Sequence, residues 1–186
     1  MVADGLHPTA PDQGGGIMAS LVSQFDRRKA IEAILYLANR LKRPDVHSIC
    51  KVLYQADRHN LERYGQSIAG DFYCAMEFGP VPSGVYDLIN ERGASGDLGF
   101  RRDGNAVVPS RDADTDWLSE ADVESLDRAI ETHGSLTFDG HVEATHGAAW
   151  LEAWNRRGEQ RSVRMHLRCI TEDMRYSEEL LQYLTG

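Results

Sequence analysis

The amino-acid sequence predicts an α+β fold, a mostly helical bundle with a small antiparallel β-sheet. Three observations carry that prediction. Apolar residues recur at three- and four-residue spacing along several segments, the period of an amphipathic helix. Residues 68–78 break the period with Phe72, Tyr73 and Phe78, side chains that suit a pleated strand. Asp103-Gly104-Asn105 separates two short runs, 98–102 and 106–109, and Asp-Gly between such runs marks a hairpin. With 186 residues, 41% of them apolar, the chain can bury one core of its own.

Residues 1–22 contain Pro8, Pro11 and Gly14-Gly15-Gly16, lack apolar periodicity, and are expected to form a flexible N-terminal segment. The folded domain is expected over 23–160, with 161–186 as a C-terminal helical extension packed on it. A first helix over about Ser23–Arg43 has its apolar face on Ile31, Ile34, Leu35, Ala38 and Leu41, and Pro44 stops it. Asp45 can cap a second helix reaching Tyr64. Its stripe is Val46, Ile49, Cys50, Leu53, Asp57, Leu61 and Tyr64, and Gly65 accepts the left-handed turn that ends it. The three segments expected to form one small antiparallel sheet are 68–78, 98–102 and 106–109. Gly79-Pro80-Val81-Pro82 cannot be helical before Val81, because a residue preceding proline is pushed to extended geometry. Pro82 then suits the first turn of a helix running to about Arg92, with Gly93 ending it. Ser119 and Asp122 have capping-box spacing ahead of Val123, Leu126 and Ile130, and Gly134 closes that helix. Shorter helices are expected at about 138–145 and 148–157. Val163, Leu167, Ile170 and Met174 stand at near-helical spacing, and Leu180, Leu181 and Leu184 suggest a last helix.

Net charge is −9, unevenly spread. Residues 23–66 carry nine Lys/Arg against five Asp/Glu, whereas 110–154 carry two Arg against eleven Asp/Glu. So acidic a stretch repels nucleic acid and suits a basic protein partner. The two regions offer two candidate faces. No apolar run approaches the roughly 20 residues of a membrane helix, and no secretory signal opens the chain. Cys50, Cys74 and Cys169 lack CxxC spacing and are expected as reduced thiols in a cytoplasmic protein.

Asp57 is the oddest residue, a carboxylate on an apolar stripe. Buried without donors it would be very costly, so it must accept from backbone amides at the start of the Pro82 helix or pair with an arginine. Asp57, His59 and Asp71 could also form a metal or acid–base cluster, although their spacing is no recognised ligand pattern. His141 and His146 lie five apart, not the four that place two imidazoles on one helix face, and His146 is expected to order a local turn. Ser83 lacks the G-x-S-x-G context of a nucleophile, and Gly14–Gly16 lacks that of a phosphate loop. Arg101 and Arg102 on the hairpin would fit the wing of a winged-helix DNA reader, against the overall charge and without a basic recognition helix.

Several motifs follow one another in a specific order. They are Lys51, Leu53-Tyr54, Asp57-Arg58 and Leu61-Glu62-Arg63-Tyr64-Gly65, then Gly70-Asp71, Tyr73 and Ala75-Met76, then Gly79-Pro80-Val81-Pro82-Ser83 with Tyr86. Leu118-Ser119-Glu120 with Asp122, and Thr145-His146 with Trp150, complete the series. Over roughly 28–155 this resembles the SocA-like antitoxin family, whose core is the Panacea domain, in its stand-alone form. Ala69 stands where that family often has Thr, and Gly147-Ala148 departs from the residues usual after His146.

The resemblance implies an antitoxin of a two-gene pair that neutralises a cognate protein toxin by binding it, with no catalytic residues, cofactor or metal. In the SocA branch it implies an adaptor that delivers the toxin to the ClpXP protease. Neither a membrane nor nucleic acid is an expected partner. The candidate toxin-binding residues are Asp112, Asp114, Asp116 and Glu120 in the acidic stretch, with Phe72 and Phe78 as the next choice. Tyr54, Tyr73 and Tyr86 are expected to meet in one aromatic cluster arranged by Gly79–Ser83. A winged-helix transcription regulator and a small metal-dependent hydrolase built on Asp57, His59 and Asp71 are the alternatives.

Overall fold

A computed structural model describes residues 24–91 and 98–172, together with 174, 178 and 182. The expectations for residues 1–22, for the end of the third helix at Gly93, and for a helix at Leu180, Leu181 and Leu184 lie outside them. The fold is α+β and helix-dominated.

The first helix, α1 (Arg27–Arg40), starts at Arg27 because Asp26 caps it, accepting from Lys29 N at 3.0 Å. It ends at Arg40, short of the expected Arg43: Leu41 is already extended, at ψ 138°, and Pro44 has no N–H to offer the Arg40 carbonyl. The second, α2 (Val46–Tyr64), follows after an Asp45 cap. It ends at Gly65, whose φ of 70° is the left-handed conformation that a residue without Cβ adopts cheaply. Both helices are buried along most of their length, so α2 forms the spine of the molecule.

Residues 68–78 form a strand only over β1 (Tyr73–Met76), and Gly79–Pro82 is itself a strand, β2, rather than a bare connection. The two pair antiparallel, Tyr73 opposite Pro82 and Met76 opposite Gly79. Two prolines are tolerated because β2 lies at the sheet edge, where a missing N–H breaks no ladder bond. A helix α3 (Ser83–Asn90) starts at once from β2. The hairpin β3 (Phe100–Asp103) and β4 (Ala106–Pro109) turns at Gly104, φ 60°, as the Asp-Gly signal predicts. It does not join the β1 sheet, which corrects the expectation of a single sheet. Instead it packs on the α1–α2 corner, where Val46 N donates to Asn105 O and Val107 N to Pro44 O.

A 3-10 turn over Thr115–Trp117 leads to α4 (Glu120–His133), opened by the expected Ser119–Asp122 capping box. Helices α5 (Phe138–Thr145) and α6 (Ala148–Arg156) follow closely as expected. The tail departs from the sequence pattern. Val163–Arg164 forms β5, the third strand of the β1 sheet in order β2-β1-β5, before α7 (Leu167–Glu172). A two-residue strand shows no period, and Val163 with Leu167 mimicked a helical face. The larger core lies among α1, α2, α3, α4 and the hairpin. A second core joins Tyr54 and Tyr73 to Trp150, Met165, Ile170 and Met174.

Candidate functional site

The motif residues mostly build the frame. Asp57 is buried and accepts from Tyr73 Oη at 2.6 Å and Ile68 N at 2.7 Å. Burial pushes its carboxyl up to about 6, partly offset by those two hydrogen bonds. The helix-capping task expected of Asp57 belongs to Asp71 instead. Asp71 accepts from Gly84 N (2.9 Å), Val85 N (2.8 Å) and Phe72 N (2.8 Å), and so anchors the start of α3. His59 contacts Ser125 Oγ at 2.9 Å. Asp57, His59 and Asp71 thus each serve a different partner, and among the described residues no group of three or more His, Cys, Asp or Glu could hold a metal ion.

Other motif residues tie elements together. Trp150 Nε1 donates to Met76 O at 2.9 Å, and His146 stacks on Trp150 with ring centroids 3.6 Å apart, which fixes the turn between α5 and α6. Tyr64 Oη donates to Glu124, joining α2 to α4. Arg58 lies over the Tyr54 ring, Gly70 donates to Ser67 Oγ from a φ of 67°, and Glu62 lies on the last turns of α2. Tyr54 and Tyr73 meet edge to face at 5.0 Å, but Tyr86 does not join them. It points outward from α3 to a pocket, because Val85, Leu88 and Ile89 take the buried face of that helix.

That pocket encloses about 450 Å³ between α2, α3, α5 and the hairpin. Its mouth is aromatic. Phe78 in the β1–β2 turn and Phe138 at the start of α5 meet edge to face at 5.2 Å, and His47 stacks on Phe138 at 4.1 Å. Both phenylalanines are close to half exposed, at 49% and 43%. Its floor holds Lys51, 1% exposed, whose Nζ donates to Pro80 O at 2.8 Å. Burial pulls the Lys51 ammonium down to about 8. Burial, reinforced by Lys51, holds the His47 imidazole down to about 4. Gly79 makes the floor possible. A Cβ there would stand 2.7 Å from Thr145 Oγ1 and 2.9 Å from Lys51 Nζ, and its φ of 102° suits glycine alone. Val81 and Met76 complete the wall, with Arg102 of β3 at the rim.

Phe72 sits apart from Phe78, exposed at the other end of β1 beneath the Arg164 guanidinium. The acidic stretch does not face away from the basic one, which corrects the expectation of two separate charged faces. Arg28 reaches Asp114 and Glu32, Lys29 reaches Asp122 at 2.6 Å, and Arg111 clamps the buried Glu32 through two bonds of 2.7 and 2.8 Å. Asp112, Asp116 and Glu120 remain exposed beside Trp117. Sequence reasoning passed over Glu32, His47 and Phe138. His47 and Lys51 at i and i+4 on the apolar helix α2 were the signal for the pocket floor.

What emerges is a helix-dominated domain whose motif residues hold the frame beside an aromatic-rimmed pocket. Residues 49–151 match the model of the family described as antitoxin SocA-like, Panacea domain. This chain belongs to that family. No curated protein and no solved structure matches the chain. Among the described residues no helix is long and apolar enough to cross a membrane.

Proposed function

We propose that this chain is an antitoxin that binds and neutralises a cognate protein toxin encoded beside it. The family supports an antitoxin role. The observation that carries direct binding is the pocket mouth, where Phe78, Phe138 and Tyr86 are exposed together on a preformed rim. Clustered exposed aromatics are the usual anchors of protein interfaces. The acidic residues Asp112, Asp116 and Glu120 lie outside that pocket and would steer a basic toxin toward it rather than grip it. Delivery of the bound toxin to the ClpXP protease is the adaptor route by which neutralisation would be completed. Such a protein works by contact and needs no catalytic group of its own, and it would act in the cytoplasm with the protease.

A DNA reader of the winged-helix kind would need a basic helix beside the wing. The helix preceding the hairpin, α3, has Asp87 and no Lys or Arg, and Arg101 on the wing is paired with Asp103 at 3.1 Å. The test is co-expression of this chain with the product of the neighbouring gene. Rescue of growth together with co-purification of the two proteins is expected. Toxicity unchanged by this chain would refute the antitoxin role. The toxin's half-life in cells with and without ClpXP then separates delivery from simple occlusion, since only delivery shortens it in a ClpXP-dependent way.

A further inference from the structure

The geometry points to the pocket as the receptor for an acidic residue of the toxin that stands next to an aromatic or aliphatic side chain. This inference rests on the antitoxin role proposed above and adds the chemistry of recognition to it. Two sets of observations converge on it, one from charge and one from shape.

The charge is out of balance. The Lys51 ammonium has three N–H groups and makes one hydrogen bond, to a neutral carbonyl. Arg102 donates to Asn90, Gly104 O and Asn105, all neutral acceptors. Among the described residues neither cation lies within ion-pair distance of a carboxylate. The lining does contain one carboxylate, Asp45, but that group accepts from Ser48 N at 2.8 Å and Ser48 Oγ at 3.1 Å and caps its own helix. An ammonium held in a buried site without a counter-ion is unfavourable, and burial accordingly pulls the Lys51 ammonium down. A carboxylate entering the pocket would relieve it. The local excess of positive charge is also the exception in a chain of net charge −9, so it discriminates among partner segments rather than merely attracting them.

The shape calls for an apolar neighbour beside the carboxylate. Three of the six large apolar side chains that are exposed among the described residues, Phe78, Phe138 and Tyr86, crowd this one mouth. Phe78, Phe138 and His47 are already packed on one another, so little side-chain freedom is lost when a partner residue inserts between them. A volume of about 450 Å³ falls within the roughly 300–1,000 Å³ typical of pockets that enclose a ligand. It is large enough for one apolar side chain with an adjacent acidic one.

The experiment uses the full chain and the toxin from the neighbouring gene, with binding kinetics measured at low and at high salt. Phe78→Ala is expected to weaken binding about thirtyfold, the effect of a central anchor. Arg102→Glu, on the exposed hairpin where folding is not at stake, is expected to slow association about tenfold at low salt and less at high salt. One Asp→Lys or Glu→Lys reversal in the toxin should restore binding to the Arg102→Glu chain. If the wild-type chain neutralises the toxin while both variants bind at the wild-type rate and affinity, the pocket is not the receptor and the antitoxin role stands. If Arg102→Glu is impaired but no acidic reversal in the toxin rescues it, recognition of a carboxylate is refuted. Failure of the wild-type chain to bind or neutralise the toxin would overturn the antitoxin role, and this inference with it.

Discussion

Asp57 joins α2 to the chain that follows it, through Ile68 N and Tyr73 Oη, with no counter-ion among the described residues. Removing it would strand two buried donors, each worth roughly 1–3 kcal/mol. Asp57→Ala is therefore expected to lower stability by about 3 kcal/mol, read as a fall in melting temperature. Asp57→Asn, which keeps an acceptor, should lose less. The pH dependence follows from the same burial. With the carboxyl raised from 3.8 to about 6, the folded chain holds between those values a proton that the unfolded chain has lost. The Asp57 contribution therefore falls as pH rises through that window. His47 and His141, lowered from 6.5 to about 4, act in the opposite sense, because there the unfolded chain binds the extra protons. In urea titrations between about pH 4 and pH 6, Asp57→Asn should gain stability with pH more steeply than the wild type. Parallel profiles would show that Asp57 titrates normally in the fold.

Where one element hands over to the next, small groups decide the geometry. Asp71 fixes the start of α3 by accepting from Gly84 N and Val85 N, and Pro82 fixes the backbone just before it. Asp71→Ala should cost about 1–2 kcal/mol, the range for a lost N-cap. Asp71→Asn or Asp71→Ser should restore part of that in a chemical denaturation series. Gly79 is less forgiving. A methyl group at φ 102° within 3 Å of Thr145 Oγ1 and Lys51 Nζ adds a clash to backbone strain. Gly79→Ala should destabilise by at least about 2 kcal/mol and perturb the pocket floor, visible as a change in the reactivity of Lys51 toward an amine-directed reagent. A stable variant with unchanged reactivity would show that the turn can relax around a side chain.

Over the molecule as a whole, charge is organised differently from its order in the chain. Arg28 and Lys29 of α1 reach Asp114 and Asp122 of the acidic stretch, Arg111 of that stretch reaches Glu32 of α1, and Lys51 and Arg102 meet at the pocket. Reversing Asp112, Asp116 and Glu120 to Lys should leave folding intact and slow toxin association by less than about tenfold, since rim charges mainly steer. Reversing Asp114, which reaches Arg28, would put two positive charges together and confound that measurement. The buried Lys51 supplies a further test. Lowered from 10.5 to about 8, it sheds in the folded chain a proton that the unfolded chain keeps, so its contribution to stability rises with pH across that window. The difference in unfolding free energy between wild type and Lys51→Met should therefore shift toward the wild type as pH is raised from about 8. A difference independent of pH would place the ammonium in solvent.

The sequence by itself determined most of the helices, several of their ends and the family. The capping box at Ser119, the Gly65 terminator and the Asp-Gly hairpin are short-range signals, because each depends on backbone groups within a few residues. The order of the motifs from Lys51 to Trp150 likewise lies in one dimension and identified a SocA-like antitoxin. Only the tertiary structure decided which acid caps which helix. Asp57 and Asp71 are both plausible acceptors in the chain, and their long-range donors come from residues 11 to 16 positions away. The pairing of β5 with β1 was illegible for the same reason, since a two-residue strand is defined by its partner and has no period of its own. The pocket is assembled from α2, the β1–β2 turn, α3, the hairpin and α5, so its aromatic mouth and its cations, Lys51 and Arg102, come together only once those elements pack. Long-range proximity, unlike capping or periodicity, leaves no spacing in the sequence from which it can be read.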